Sequence, residues 1–146
     1  MLTRASLRDF TGGRVDRCGV SRCKLCDVII VGENFIFSTI DWNFKINHCM
    51  SCDTLNCLYV LRCEGCGEIY IGETNNFRLR INLHRDHASK GTGLHVSRHL
   101  YSCTPKKNKF TSTPFYKKHK DDESLRKQKE HMFLQKIKPT LNRTIS

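Results

Sequence analysis

Two tyrosines and an arginine are the residues of this chain best placed to do chemistry. Tyr59, Tyr70 and Arg80 recur at short intervals between Leu58 and His84. A phenol can hold or pass on a proton, and a planar guanidinium fits the oxygens of a phosphate group better than an ammonium does. The pattern therefore predicts a site that handles a phosphate group.

Two short strands must carry the two phenols. The aliphatic run 58–61 and the segment 68–73 both predict strands, and the glycine-bearing knuckle 63–67 joins them as a hairpin. Strand alternation then allows Tyr59 and Tyr70 to border one surface cleft.

A helix should follow the hairpin, from about 75 to 88. It places Phe77, Arg80, Ile81 and His84 at the spacing i, i+3, i+4, i+7, which is one helix face. An arginine and a histidine therefore share the packing side. His84 is thus a candidate for contacting a phosphate or for shuttling a proton.

The second half of the chain predicts a further helix, a short third strand near 110–115 and a last helix from about 122 to 138, ended by Pro139. The last helix begins with acidic residues, which suit the positive end of its dipole. Glu130 stands at the start of its apolar stripe, so a carboxylate borders the buried face of an otherwise basic helix.

The motifs Leu58-Tyr59-Val60 and Tyr70-Ile71-Gly72 resemble those of the GIY-YIG endonuclease domain, although the glycine of the first motif is missing. The resemblance implies an α/β fold of the α+β type. Its core would be a small three-stranded antiparallel sheet flanked by helices, preceded by an N-terminal zinc knuckle or ribbon.

The resemblance also implies roles for five residues. Tyr59 would be the general base or a relay to metal-bound hydroxide, and Tyr70 would orient the water or the phosphate. Arg80 would grip the scissile phosphate, and Glu130 would hold a single Mg²⁺ or Mn²⁺. Asn142 would position the strand and helix that carry the site.

The cysteine pattern narrows the resemblance. RCGVSRCKLC, a cysteine shortly before the first motif, a cysteine pair between the motifs and YIGET together are similar to the endonuclease of Penelope-like retroelements, over residues 18–142. This implies an enzyme that nicks target DNA for insertion. The reverse transcriptase of the same element would be a partner, and the nucleus would be the workplace.

Nine cysteines, an odd number, together with two C-x2-C pairs and no secretory signal, favour zinc over disulfides. The first site is expected to use Cys18, Cys23, Cys26 and Cys52. Cys52 is preferred because it matches the family's spacing to the first motif, and Cys49 is a substitute.

A second zinc site is expected around the hairpin pair Cys63 and Cys66. The resembled elements carry a Cys-Cys-His-His site, so we expect His84 and His99 to complete it. Three further residues remain open as alternatives, with Cys103 the strongest: Cys103, His87 and His95.

Composition agrees with a small basic protein that needs metal to support a thin core. The chain has 146 residues, of which 38% are hydrophobic, and a net charge of +11. Such a surplus attracts polyanions, so we expect a basic surface that binds DNA. The expected phosphate contacts are Lys106, Lys107, Lys109, Lys117, Lys118 and Lys120. No apolar run is long enough to span a bilayer.

We expect a flexible lead-in at 1–17, a cysteine-rich zinc-binding segment at 18–56 with a hairpin of Val28–Val31 and Phe35–Ile40, and an endonuclease domain at 57–146. The rival function is a non-catalytic zinc-binding nucleic-acid module derived from such a nuclease. A thiol redox protein is a third class, and tight stoichiometric zinc would argue against it.

Overall fold

The computed structural model describes residues 12–103, 109–118 and 123–142, without the side chain of Arg126. Within these residues the strands are β1 (Arg14–Val15), β2 (Asn34–Phe37), β3 (Trp42–Lys45), β4 (Cys49–Met50), β5 (Leu55–Cys63), β6 (Ile69–Asn76) and β7 (Phe110–Lys117). The helices are α1 (Phe77–Lys90), α2 (His95–Ser102) and α3 (Glu123–Ile137), with 3-10 turns at Ser38–Ile40 and Thr140–Asn142.

The main sheet is antiparallel and has the order β6-β5-β7. Its register sets Tyr59 opposite Gly72 and Leu61 opposite Tyr70, so these four residues share one face. The predicted fold class is confirmed: a mixed α/β structure with a three-stranded antiparallel sheet, flanked by helices.

The central strand β5 is covered on both faces. Residues 57–61 are all buried, including Leu58 and Val60 on the face opposite to Tyr59. A strand buried on both sides reads in sequence as a continuous apolar run, which is why this segment lacks polar alternation. Leu58, where the family pattern has its glycine, is one of these fully buried residues.

Helix α1 begins two residues later than the sequence predicted, because Asn76 caps it. The side chain of Asn76 accepts a hydrogen bond from the backbone N–H of Leu79. The helix packs against the face of the sheet that carries Tyr59. Its buried residues are Phe77, Ile81, His84 and Ala88.

The predicted hairpin of Val28–Val31 with Phe35–Ile40 is wrong. Ile29 instead forms a parallel bridge with Ser112, and the N–H of Ile30 donates to the Ser112 carbonyl at 2.8 Å, so this run covers the edge of β7. The hairpin that forms is β2 with β3, around the turn at Ser38–Ile40. Residues 28–31 pair with β7 because the peptide groups at this edge of the main sheet need hydrogen-bond partners.

A cluster of aromatic rings joins the N-terminal hairpin to the main sheet and α3. Phe115 of β7 lies 5.5 Å from both Phe37 and Phe44 and 5.1 Å from Phe133, measured between ring centroids. Trp42 stacks on Phe133 at 6.0 Å. The hydrophobic core therefore crosses the expected boundary between residues 56 and 57.

Some expectations fall on residues that are not described, namely residues 1–11 of the lead-in and Lys106, Lys107 and Lys120. Within the described part of the lead-in, β1 pairs in parallel with β4. No described helix has both the length and the apolar character needed to cross a membrane.

We predict that Phe133→Ala lowers the free energy of unfolding by about 3–5 kcal/mol, because it removes the ring at the centre of the aromatic cluster. Met132→Ala, on the exposed side of the same helix, should change it by under about 1 kcal/mol. Urea unfolding in the presence of zinc measures both. Equal effects of the two substitutions would contradict the role of the cluster.

Candidate active site and metal centres

Tyr59 is fully buried and its ring lies directly over Gly72. A Cβ added at Gly72 would lie 2.5 Å from the Tyr59 Oη and 2.6 Å from its Cζ, closer than carbon atoms can approach. The glycine of the second motif is therefore required by the tyrosine of the first, because the two strands place them opposite each other.

Tyr59 forms a buried pair with His84 of α1. The Tyr59 Oη lies 2.7 Å from the His84 Nε2, and the His84 Nδ1 lies 3.5 Å from the Ser97 Oγ. Burial, with the positive charges of Arg80 and His87, lowers the pKa of His84 to about 4. The imidazole is therefore neutral at neutral pH and forms a hydrogen bond with the phenol without adding a buried charge.

Tyr70 lies beside this pair and is only half-buried. Its ring centroid is 6.1 Å from that of Tyr59 and 5.6 Å from that of His84. Burial raises the pKa of Tyr70, the positive charge of Arg80 opposes this, and the negative charge of Glu130 adds to it. The charges of Glu130 on α3 and of Arg80 on α1 therefore both act on this phenol.

Arg80 borders the two phenols from the start of α1. Its Nη1 donates to the backbone carbonyl of Glu73 at 3.4 Å, which ties the guanidinium to the end of the second motif. Burial raises the pKa of Tyr59 well above its ordinary value, the neighbouring phenol of Tyr70 raises it further, and Arg80 acts in the opposite sense. Both phenols are therefore protonated at neutral pH.

Asn142 holds the edge of the sheet at the second motif. Its Oδ1 accepts from the backbone N–H of Ile71 at 2.7 Å, and its Nδ2 donates to the Ile71 carbonyl at 2.7 Å. β6 is an edge strand, so these two groups point away from β5. The side-chain amide replaces a neighbouring strand at this point and fixes the backbone next to Tyr70.

Glu130 is the residue expected to hold a hard divalent cation. Glu130 is a half-buried carboxylate on α3, and its charge acts on the phenol of Tyr70. Among the described residues it belongs to no cluster of three or more acidic, histidine or cysteine side chains. One carboxylate with phosphate oxygens and several waters is a set that Mg²⁺ accepts.

Lys118 was expected to contact phosphates, but the structure shows that it is buried. Its side chain is 1% exposed, and its Nζ lies 2.6 Å from the Glu73 Oε2. Residue 118 follows directly after β7, where its backbone N–H donates to the Asn56 carbonyl and directs the side chain inward. Lys118 therefore neutralises the glutamate of YIGET and is not part of the basic surface.

The first metal cluster brings together Cys18, Cys23, Cys26 and Cys52. The Sγ atoms of Cys18 and Cys26 are 3.7 Å apart, and those of Cys26 and Cys52 are 3.9 Å apart. Four sulfurs at about 2.3 Å from a tetrahedral zinc ion lie about 3.8 Å from one another, so the spacing fits zinc. The substitute Cys49 is exposed on β4 and outside this cluster.

The second cluster contains Cys63, Cys66, His99 and Cys103. The Cys66 Sγ lies 3.3 Å from the His99 Nε2, and a Cβ at Gly65 would lie 2.8 Å from the Cys103 Sγ. The knuckle between the strands therefore needs a glycine to wrap around the ligands. All the ligand atoms lie within 4.8 Å of one another, and the set can hold zinc.

The structure places His84 away from the second cluster, and the strongest alternative, Cys103, stands in its place. His84 faces the sheet and bonds Tyr59, while His99 and Cys103, four residues apart near the end of α2, point together at the knuckle. His87 and His95 also lie outside the cluster. Helical spacing suggested Cys103, but sequence spacing could not choose between it and His84.

Sequence reasoning missed two features of the site. The dependence of Tyr59 on Gly72 appears only when the strand register is known. The bond between Tyr59 and His84 had a weak signal, because His84 shares a helix face with Arg80.

Comparison with protein families gives a match to the GIY-YIG catalytic domain over residues 55–143. The match covers the main sheet, the helices and Asn142, and begins after the first metal cluster. No curated protein and no solved structure matches the chain significantly.

We predict that NMR titration of His84 gives a pKa of about 4, against 6.5 for an unperturbed histidine. Between these values the unfolded chain binds more protons than the folded one, so stability is present above pH 6.5 and lost as the pH falls. The loss attributable to His84 is about 3 kcal/mol. His84→Gln should show a shallower fall in unfolding free energy, and a midpoint near 6.5 would contradict the burial argument.

We predict two zinc ions per chain by elemental analysis of the purified protein. Cys103→Ser should reduce the content to about one, because it removes a ligand of the second cluster. Cys49→Ser is the matched control and should keep both ions. Retention of two ions by Cys103→Ser would show that the second cluster has another ligand.

Proposed function

Because this chain belongs to the family of GIY-YIG catalytic domains, we propose that it is a metal-dependent DNA endonuclease that hydrolyses phosphodiester bonds. The family is a nuclease family whose members use divalent metals. The observation that supports the proposal best is that the charges of Arg80 and Glu130 both act on Tyr70, whose ring lies beside the Tyr59–His84 pair.

The phenols and the histidine form a packed group that orients the attacking water. Tyr70 is the more exposed phenol, so it is the one that contacts the attacking water. Tyr59 lies next to it inside the protein, and neutral His84 is deepest. As the water attacks phosphorus, the bond to the leaving oxygen breaks, and the proton of the water passes through solvent to that oxygen. Tyr70, supported by Tyr59 and the neutral His84, orients the water for this attack.

The charged groups act on the phosphate. Arg80 binds its nonbridging oxygens through a planar fork and offsets the negative charge that develops during attack. Glu130 would hold Mg²⁺ or Mn²⁺, which supplies further stabilisation of that charge. Asn142 and Gly72 position the two strands that carry the phenols, and neither touches the substrate.

DNA is the proposed substrate, bound through the basic surface. A net charge of +11 favours a polyanion, and contacts of lysine with phosphates give affinity without sequence preference. Exposed lysines just before β7, on α3 and directly after α3 support this role: Lys109, Lys127, Lys136 and Lys138.

The cysteine pattern supports a more specific proposal, that the protein nicks target DNA for a Penelope-like retroelement. The first cluster and the knuckle cluster both use cysteines that the retroelement resemblance singled out. In that setting its partner is the reverse transcriptase of the same element and its location is the nucleus.

A non-catalytic zinc-binding nucleic-acid module is the second candidate. The observation that favours it is the complete burial of Tyr59, which keeps this phenol from direct contact with a substrate. Under this alternative the same zinc clusters and basic surface bind DNA, but no strand is cut.

We predict that the protein nicks supercoiled plasmid when Mg²⁺ or Mn²⁺ is added. Arg80→Ala and Glu130→Gln should each lower the nicking rate about 100-fold or more, because each removes a charge that acts on the reacting phosphate. Glu123→Gln, an exposed glutamate on the same helix, is the matched control and should cut at the original rate.

DNA affinity, measured in parallel by gel shift at fixed salt, should change little in the three variants. Nicking by Arg80→Ala and Glu130→Gln at the same rate as by Glu123→Gln would refute the catalytic assignment. DNA binding without any nicking by the unaltered protein would support the non-catalytic module.

A further inference from the structure

Arg78 connects the first metal cluster to helix α1. Its Nη1 donates to the Cys23 Sγ at 3.0 Å, and its Nη2 lies 3.6 Å from the Cys18 Sγ. The Nη2 and Nε atoms of the same guanidinium donate hydrogen bonds to the Asp53 Oδ1 at 2.6 and 3.2 Å. One side chain thus contacts two metal-ligand sulfurs and a carboxylate next to a third ligand, Cys52.

These contacts suit a guanidinium beside a zinc–thiolate centre. Four thiolates around one Zn²⁺ carry an excess of negative charge. N–H···S hydrogen bonds offset part of this charge and fix the orientation of the thiolates. Side chains that contact metal ligands in this way commonly change metal affinity 10–100-fold when they are removed. Arg78 therefore belongs functionally to the metal centre although it lies on α1.

Two further bonds attach the same helix to the cysteine segment. The backbone N–H of Phe77 donates to the Thr54 carbonyl at 3.0 Å, and the Arg85 Nη2 donates to the Lys24 carbonyl at 2.9 Å. Lys24 lies within the cysteine loop, and Thr54 follows shortly after Cys52. The helix is thus fixed to the cluster segment at its start and along its middle.

Arg78 and Arg80 lie on opposite flanks of the helix. Two residues along an α-helix correspond to a rotation of about 200°. Arg78 therefore points to the cysteine cluster while Arg80 points to the phenols. A change in the cluster would move the helix as a unit, and a displacement of about 1 Å at the reacting groups can lower a rate about 100-fold.

We propose that Arg78 is a positioning residue that couples zinc binding at the first cluster to the placement of Arg80 and His84. This inference rests on the proposed nuclease function for its effect on the rate. Its effects on zinc binding and on the helix do not depend on that function. Occupation of the first cluster is then a condition for full activity, although the cluster does not contact the phosphate.

The experiment compares Arg78→Ala with Arg85→Ala, which removes a bond to the cysteine loop but touches no sulfur. Arg78→Ala should lower the affinity for one of the two zinc ions about 10–100-fold, measured by competition with a chromophoric chelator. The other ion, at the knuckle cluster, is the internal reference. Arg85→Ala should bind both ions as tightly as the unaltered protein.

Two further measurements test whether the change at the first cluster reaches helix α1 and the nicking rate. Amide hydrogen exchange in α1 should be faster in Arg78→Ala than in Arg85→Ala. At saturating protein the nicking rate of Arg78→Ala should fall, while its DNA affinity stays within about twofold of that of the unaltered protein. Arg78→Lys keeps the charge without the planar fork and should give an intermediate zinc affinity, provided that circular dichroism shows a folded protein.

Unchanged zinc affinity and unchanged exchange in Arg78→Ala would overturn the proposal. Lower DNA affinity with an unchanged nicking rate would also overturn it, because Arg78 would then be a DNA contact. If the unaltered protein does not nick, the proposed function fails, and the zinc and exchange measurements still decide the coupling.

Discussion

The structure depends on the packing of one buried phenol. Tyr59 occupies the space above Gly72 and bonds His84, so the strand register, the absence of a side chain and the position of α1 all have to agree. The phenol has no room to shift, because β5 is covered on both faces. Tyr70 and Arg80 lie beside this fixed point.

The two cysteine clusters, which could hold zinc, lie at the ends of elements that also carry the candidate site. The aromatic cluster supports the face of the sheet next to α3, while the knuckle cluster fastens the β5–β6 hairpin to α2 and the first cluster lies against α1. Small domains commonly use metal where the buried apolar area is insufficient. Here the metal-binding segments also hold the elements that carry the candidate site.

The sequence predicted the main strands because the aliphatic run 58–61 and the segment 68–73 flank a glycine-bearing knuckle, and it predicted α1 because residues 77–84 follow a helical period. It could not predict partners that depend on distant residues. The run at Val28–Val31 paired with β7 and not with its neighbour, and Lys118 turned inward to Glu73. The same limit applied to His84, whose spacing suits a metal ligand but whose direction is set by the sheet beneath α1.

The amide of Asn142 has a consequence for self-association. Strand β6 lies at the border of the sheet, where exposed peptide groups can recruit a strand from another molecule. By occupying both groups of Ile71, Asn142 blocks such recruitment in the middle of that border. The same residue that steadies the second motif therefore also acts against aggregation.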